Sequence, residues 1–494
     1  MSGTAPRGVH ALARAEPDRP AIVHDGRTVS FGELDATANR LAHALAHRVA
    51  PGDRVAVLLH NRPEVFAVWG AVARLGALVV PISYRSTAPE ARYVALDSGA
   101  VALVHDDGRV AGPATLGIDV EPVDVDDAEL QQRPTTPPRD DYLGSPVVWM
   151  NYTSGTTGRP KGIVRPAPVP MSDAPPQPYL QFWGFGRDDV HLLTGPAYHT
   201  APGAYAQMQL VEGALVVIMS RFDAEGCLRL IDQHRVTNSH MVPANFVRIL
   251  ELPADVRARY DLSSVRTIIH AAAPCPEAVK RAIIDVFPTG AIWEYYGASE
   301  GMGTVISPDD WLAHPGSVGR AFPGIDIRIL DEDGEPVPAG TVGHIYISAA
   351  KGYAPSYHNA PDKTEQAWRG DRFTVGDLGA LDRDGYLYIA DRRTDLILRG
   401  GVNVYPAEVE SALAEHADVV DSAVLGLPDE RLGQRVHALV ELTPGSRIGS
   451  DELRAFLAER LADVKRPTSY EFIAELPREP NGKVNKAALR AERS

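Results

Sequence analysis

The stretch Tyr152-Thr-Ser-Gly-Thr-Thr-Gly-Arg-Pro-Lys-Gly162 carries the densest chemistry in the chain. Hydroxyls of Thr153, Ser154, Thr156 and Thr157 are interleaved with Gly155 and Gly158, and Lys161 adds a positive charge. Backbone N–H groups and hydroxyls in such a loop can wrap phosphate oxygens. It is not a Walker loop, because the spacing G-x-x-x-x-G-K-[ST] is absent. A Ser/Thr/Gly stretch by itself is most often a hydrophilic turn, so the chemistry rests on what accompanies it. The other polar candidates are as bland when taken singly. Glu300 would be a solvated loop carboxylate, His199 a structural histidine, and Gly482-Lys483 a terminal turn.

Together, and in this order, the segments resemble the adenylate-forming superfamily of acyl-CoA synthetases, peptide-synthetase adenylation domains and luciferases. The 152–162 string resembles that family's phosphate loop. Ala271-Ala-Ala-Pro274 resembles the small-residue turn beside the adenine, which implies nucleotide contacts from Ala272, Ala273 and Pro274. Glu294-Tyr-Tyr-Gly-Ala-Ser-Glu-Gly301 resembles the Tyr-Gly-x-Thr-Glu segment, with Ser299 in place of the usual threonine. The resemblance implies that Glu294, Tyr295, Tyr296, Gly297 and Ser299 border the nucleotide, with Tyr296 covering the base. It further implies that Glu300 binds Mg2+ with Thr156 as a second oxygen ligand. Val375-Gly-Asp-Leu378 resembles the segment whose aspartate, here Asp377, holds the ribose hydroxyls; a carboxylate has the acceptor sites for both.

Asp391-Arg-Arg-Thr-Asp-Leu-Ile397 resembles the family hinge. Arg392 matches its ribose- and phosphate-reaching arginine, and Thr394 stands where the family often has Asp or Lys. Arg399-Gly-Gly-Val-Asn-Val-Tyr-Pro-Ala-Glu-Val-Glu410 resembles a stretch of acid–CoA ligases in which glycines, here Gly400 and Gly401, let a pantetheine arm pass. Leu476-Pro-Arg-Glu-Pro-Asn-Gly-Lys-Val484 resembles the final family motif, with Lys483 as the lysine of the adenylation step. His199, in Gly195-Pro-Ala-Tyr-His-Thr-Ala-Pro-Gly203, matches a position that lines and guards the carboxylate pocket.

The resemblance implies catalysis by Lys483, His199 and Glu300 with ATP, Mg2+ and CoA. A small-molecule carboxylic acid would be joined to AMP, pyrophosphate would leave, and the acyl group would pass to the CoA thiol. The acid would be fatty or aromatic, since the pocket positions by resemblance (His199, Asn245, Phe246, Ala271 and 301–304) are small or apolar apart from His199, Asn245 and Thr304. The phosphate motifs leave the acceptor open. A carrier protein or an amine would serve the same first half-reaction, and so would activation of an unusual oxyanion such as nitrite for an aryl amine.

The elements that must position these residues read as α/β. Helical spacing covers Phe31–Val49 and Ala67–Leu75, and apolar strand runs cover Arg54–Leu59, Ala77–Pro81 and Val147–Tyr152. A second βα run follows, with strands at Val190–Leu193, Ala214–Ile218, Ser239–Val242, Thr267–Ala271 and Ala291–Glu294. From about Gly316 short strands alternate with Asp-Gly turns (Ile325–Leu330, His344–Ser348, Tyr386–Ile389). The C-terminal stretch reads as helix Pro406–Glu415, strands Val419–Leu425 and Arg435–Leu442, and helix Asp451–Leu461. The expected architecture is a large N-terminal domain of stacked α/β sheets plus a β-barrel-like subdomain, with a small mobile α+β C-terminal domain. Residues 1–391 form the first, 392–395 the hinge, and 396–494 the second.

Composition narrows the remaining classes. The 494 residues exceed one compact core. A formal charge of −15 opposes nucleic acid and anionic membrane at long range. Two cysteines, Cys227 and Cys275, exclude a disulfide framework and a thiolate zinc site, and both read as small buried hydrophobes. The N-terminus lacks an apolar signal-peptide core, and no apolar run reaches spanning length. The expected protein is cytoplasmic, without nucleic-acid partners or integral membrane association, and a monomer or homodimer. The proline-rich stretch 165–178 reads as a surface loop.

Overall fold

The computed structural model describes residues 6–106, 116–117, 120–138, 148–153, 160–164, 178–349, 354–392, 395–399, 402–429, 431–478 and 483–493. The proline-rich stretch lies almost wholly outside them. The chain separates into two compact units, Met1–Met241 with Leu252–Ile269 and Lys351–Thr364, and Val242–Glu251 with His270–Ala350 and Glu365–Ser494.

The first unit holds two largely parallel sheets. One runs Glu121–Asp124, Ala102–His105, Arg54–Leu58, Leu78–Pro81, Val148–Trp149, all parallel. The other places Leu215–Ile218 between Pro20–His24 and Val190–Leu193, with Asn238–Met241 beyond and Arg27–Ser30 antiparallel at the edge. Unbroken apolar runs such as Val55–Leu58 and Val216–Ile218, buried at every position, suit strands covered on both faces. One core draws on both sheets and on the helices Phe31–Leu45 and Glu64–Arg74, with Phe31, Leu41, Trp69 and Val72 inside. A capping box starts the first of these helices: Glu33 N–H donates to Ser30 Oγ at 3.2 Å, and Ser30 N–H to Glu33 Oε2 at 2.8 Å. This helix stops at Leu45, short of the expected Val49: Arg48 N–H takes the tighter i−3 bond to the Leu45 carbonyl, and Pro51 disfavours helical backbone at Ala50. The second begins at Glu64 rather than Ala67; Pro63 supplies a preset φ where no N–H is needed.

A buried polar layer lies between helix Thr200–Glu212 and the strands Val190–Leu193 and Asn238–Met241. His191, Gln209, Asn238 and His240 are each at most 2% exposed. Burial pushes the imidazolium pKa of His191 down to about 4, although its bond to Asn238 opposes this, and that of His240 down to about 3, with His191 adding repulsion. Both rings are neutral in the fold and become charged in the unfolded chain below the ordinary 6.5. The unfolded state then binds more protons, so stability is complete above pH 6.5 and falls as pH drops toward 4. The slope reaches about 1.4 kcal/mol per pH unit for each ring. Denaturant titrations at pH 7 and 5 should show His191→Gln losing less stability on acidification than the parent. Parallel losses would remove His191 from the account.

The second unit contains a six-stranded antiparallel sheet at the place of the expected barrel-like subdomain. Its order is Trp368–Arg369, Arg372–Phe373, Gly343–Ser348, Asp377–Leu381, Leu387–Arg392, with Ile327–Leu330 also paired to Gly343–Ser348. The Asp-Gly turns expected there carry positive φ at Gly334 and Gly385. The C-terminal portion has its own core. Val409, Leu413, Val424, Val436, Leu453 and Leu457 close one face of the hairpin Val419–Asp429 and Gly433–Leu442, against helices Pro406–Ala414 and Ser450–Ala458. Cys227 is buried, but Cys275 is only half-buried, which corrects the expectation for it: it sits in the irregular stretch between strand Thr267–His270 and helix Glu277–Val286. Among the described residues no helix is long and apolar enough to cross a membrane.

Candidate active site

In the first unit the expected strand over Val147–Tyr152 divides at Met150. Val148–Trp149 stays in the parallel sheet, while Asn151–Thr153 leaves it and pairs antiparallel with Lys161–Val164. Thr153 and Lys161 face each other across this hairpin. Its intervening residues, with Ser154, Gly155, Thr156 and Thr157, lie outside the described residues. The base of the hairpin is fixed by tertiary contacts. Tyr152 O–H donates to Asp97 Oδ2 at 2.6 Å, Tyr93 O–H donates to the Pro160 carbonyl at 3.1 Å, and His358 N–H donates to the Gly162 carbonyl at 2.8 Å. A Cβ on Gly162, within strand Lys161–Val164, would lie 2.5 Å from Met150 Cε and 3.0 Å from Tyr152 Cζ, so the Met150 side chain would have to move to admit one. The Lys161 ammonium lies 5.0 Å from the Tyr357 ring centroid.

His199 precedes helix Thr200–Glu212 as its N-cap residue and packs on Tyr198, with ring centroids 4.4 Å apart. The loop that presents it hangs on Asn61, whose amide donates to the carbonyls of Gly195 (2.9 Å) and Met219 (3.0 Å) and accepts from Ala197 N–H (2.8 Å). Asn151 at the hairpin base hydrogen-bonds Thr200. Asn61 and Asp97 did not emerge from the sequence. Asn61 had one usable signal, a polar residue just past the carboxyl end of a parallel strand; Asp97 had none.

In the second unit the strand expected over Ala291–Glu294 continues to Ala298 and returns as Gly301–Ile306. Ser299 and Glu300 are the two residues of the tight connection, and Glu300 is buried. A bulge between Tyr296 and Gly297 turns the hairpin; a Cβ on Gly297 would approach the Gly301 carbonyl oxygen to 2.8 Å. Tyr296 O–H donates to Asp377 Oδ2 at 2.7 Å, joining residues 81 positions apart. Asp377 is buried and pairs in register with Arg392 on the neighbouring strand. Ala272 has φ +78°, an unusual conformation for a residue with a Cβ and one that clusters at functional sites; Ala273 and Pro274 follow it.

Glu294 is differently engaged. Its carboxylate is buried, contacts the Lys280 ammonium and lies 3.6 Å from His270 Nε2. Burial raises its pKa, and Lys280 opposes this. Lys280, fully buried on helix Glu277–Val286, also lies 5.0 Å from the Trp311 ring centroid. Tyr295 is half-buried on the same strand. Of the expected pocket residues, Asn245 accepts from Val242 N–H at 2.9 Å, Phe246 packs edge-on to His270, and Thr304 hydrogen-bonds the Val318 carbonyl. Strands Ile397–Arg399 and Val402–Val404 form an antiparallel pair around Gly400 and Gly401, which lie outside the described residues. Arg478 and Val484 form an isolated bridge next to half-buried Lys483. The hinge residues Arg393 and Thr394 are likewise undescribed.

The family model described as AMP-binding enzyme matches residues 9–358, and AMP-binding enzyme C-terminal domain matches 408–483. The chain is 33% identical to a fatty acid–[acyl-carrier-protein] ligase of Streptomyces coeruleorubidus, covering 97% of this chain and 94% of the relative. It is 35% identical to a feruloyl-CoA synthase of an Amycolatopsis species, covering 97% and 96%. The o-succinylbenzoate CoA synthetase of Bacillus subtilis, solved with its acyl-adenylate intermediate, superposes with a TM-score of 0.84 at 29% identity over 98% of both chains. A family match over most of the chain, together with relatives a third identical along nearly their whole length, means that this chain belongs to the AMP-binding enzyme family and is an adenylate-forming ligase.

Proposed function

We infer that the chain activates a fatty or aromatic carboxylic acid as its acyl-adenylate and transfers the acyl group to CoA. The observation that carries this reading is the Tyr296–Asp377 hydrogen bond. It couples a ring suited to cover a base with a buried carboxylate suited to two ribose hydroxyls. In the first half-reaction a carboxylate oxygen attacks the α-phosphorus of ATP, the bond to the bridging oxygen breaks, and pyrophosphate leaves with the electron pair. In the second, the CoA sulfur attacks the acyl carbon and AMP departs. Such chemistry needs charge stabilisation and alignment rather than a protein nucleophile.

The hydroxyls of 153–157 and Lys161 would hold the departing phosphates, and Lys483 would meet charge growing between acid and α-phosphate. His199 would line the carboxylate end of the acid. Arg392 would reach ribose and phosphate, and the 399–404 hairpin would flank the pantetheine arm. The donor chemistry, with Thr156 lying outside the described residues, is that of a hard-cation site. Glu300 offers a buried carboxylate on a two-residue turn, and Thr156 a hydroxyl, both hard oxygens suited to Mg2+. When bound, the ion would neutralise charge on the leaving pyrophosphate. Residues 392–395 would let the C-terminal domain turn between the half-reactions. The cytoplasm, which supplies ATP and CoA, is the proposed compartment.

A carrier-protein thiol is the second reading for the acceptor, favoured by the one-third identity to the carrier-protein ligase. Incubation with ATP, Mg2+, a panel of acids and either CoA or a carrier protein separates the two. The expected products are AMP, pyrophosphate and acyl-CoA, and acyl-carrier protein without acyl-CoA would reverse the choice. For the metal, Glu300→Gln should raise the Mg2+ concentration for half-maximal turnover about tenfold or more, with a smaller effect on melting. Full activity at limiting Mg2+ would show that Glu300 is not the ligand.

A further inference from the structure

We propose that the acid carries a hydroxyl or another hydrogen-bond donor at the end remote from its carboxylate, received by His191 and Gln209 in the buried polar layer. This rests on the acid-activating reading above and names the class of acid within it.

The orientation of every group in the layer follows from one end. Asp189, ion-paired with Arg266, accepts from Thr237 O–H at 2.5 Å. The Thr237 oxygen in turn accepts from Asn238 Nδ2 at 3.2 Å. That turns Asn238 Oδ1 the other way, where it accepts from His191 Nδ1 at 2.6 Å and from Gln209 Nε2 at 3.0 Å. With Nδ1 protonated, the neutral His191 ring presents a bare lone pair at Nε2. With its amide nitrogen engaged, Gln209 presents its carbonyl oxygen. Neither His191 Nε2 nor Gln209 Oε1 has a hydrogen-bond partner among the described residues. His191 is 1% exposed and Gln209 0%. Two acceptors with no donor are costly in a protein interior, and a donor brought from outside would satisfy them. Burial keeps His191 uncharged at neutral pH, so the ring cannot relieve the deficit by taking up a proton.

The layer is placed to meet the far end of an acid. His199 caps the helix Thr200–Glu212, and Gln209 lies ten residues further along it, about 15 Å at 1.5 Å per residue. Tyr205 and Gln209 share a helix face by their i, i+4 spacing. Tyr205 stacks on His240 at 5.4 Å and 27°, and Gln209 reaches Asn238, so the face runs along strand Asn238–Met241. Between His199 and Gln209 that face carries Tyr205, and nearer His199 than Tyr205 it carries the small Ala201 and Pro202. An acid whose carboxylate sits at His199 and whose body extends roughly 10–15 Å along the helix would bring its far end to these acceptors. A plain alkyl or aryl end would leave them unmet.

The test is ATP–pyrophosphate exchange with matched pairs of acids, each with and without a terminal or para hydroxyl, in the parent and in Gln209→Leu. The parent should favour the hydroxylated member at least tenfold in kcat/KM, because a site built around hydrogen-bonding groups rejects an analogue that leaves them unpaired. The ratio should collapse toward one in the variant; a structural role alone would lower both members together and leave the ratio intact. Should Gln209→Leu not fold, His191→Leu and the parent ratios still decide. Equal use of both members by the parent, or a ratio kept in the variants, overturns the inference. If no acid supports exchange, the acid-activating reading itself fails.

Discussion

Lys483→Ala is expected to lower adenylate formation by roughly 10³-fold while leaving thioester formation from a supplied acyl-adenylate near the parent rate. The ammonium is proposed to meet negative charge that exists only while the carboxylate attacks the α-phosphorus, so its removal acts on that transition state and on nothing in the second half-reaction. The lysine is half-buried, next to the Arg478–Val484 bridge and just ahead of helix Lys486–Ala491, whose Leu489 anchors it to the C-terminal core. Pyrophosphate exchange and single-turnover thioester formation from synthetic acyl-adenylate should be measured side by side. Lys483→Arg should recover part of the exchange rate, since it restores charge without the compact ammonium. Equal loss of both half-reactions would remove Lys483 from its assigned step.

Lys280→Ala should destabilise the second unit by about 3–5 kcal/mol, the usual consequence of removing one partner of a buried ion pair. Glu294 would be left 6% exposed, with His270 3.6 Å away. The Trp311 ring would also lose one of its two cations, keeping Arg281 at 5.3 Å. Burial already raises the Glu294 pKa above 4.5, and without Lys280 it must rise further. The folded variant would then hold a proton that the unfolded chain releases above pH 4.5. Its stability should therefore fall as pH rises from 4.5 through the folded-state pKa, and be restored when pH is lowered back to 4.5. Hydrogen exchange of strand Ile292–Ala298 reports this locally, which matters in a chain of several cooperative units. Lys280→Met combined with Glu294→Gln should lose less than Lys280→Ala, because no charge is stranded. A loss below about 1 kcal/mol for Lys280→Ala, or one independent of pH, would mean that water reaches the pair.

Much of the framework was legible in the order of residues because it depends on local periods. Val190–Leu193 as a strand, the capped helix from Phe31, and the Asp-Gly turns at 334 and 385 each follow from a few neighbouring side chains and the backbone's own geometry. The family was legible for a related reason: its motifs are contiguous strings whose residue types are set by close contact with one ligand. Boundaries were less legible. Nothing local divides the strand at Met150 or carries the 291–294 strand on to Ala298; the pairing partners, Lys161–Val164 and Gly301–Ile306, make those choices.

What tertiary structure alone decided is which distant polar groups meet. The Tyr296–Asp377 bond, the Asn61 clamp beneath His199, the Tyr152–Asp97 brace and the Lys280–Glu294 pair join residues that no periodicity relates. The polar layer is the clearest case. His191, Gln209 and Asn238 look unremarkable in their own segments, and only the packing of helix Thr200–Glu212 on two strands turns three groups that can both donate and accept into a pair of acceptors lacking a donor among the described residues. A hydrogen bond needs its partner within about 3 Å and correctly turned. The sequence names the groups able to make such bonds; the fold sets their distance and direction.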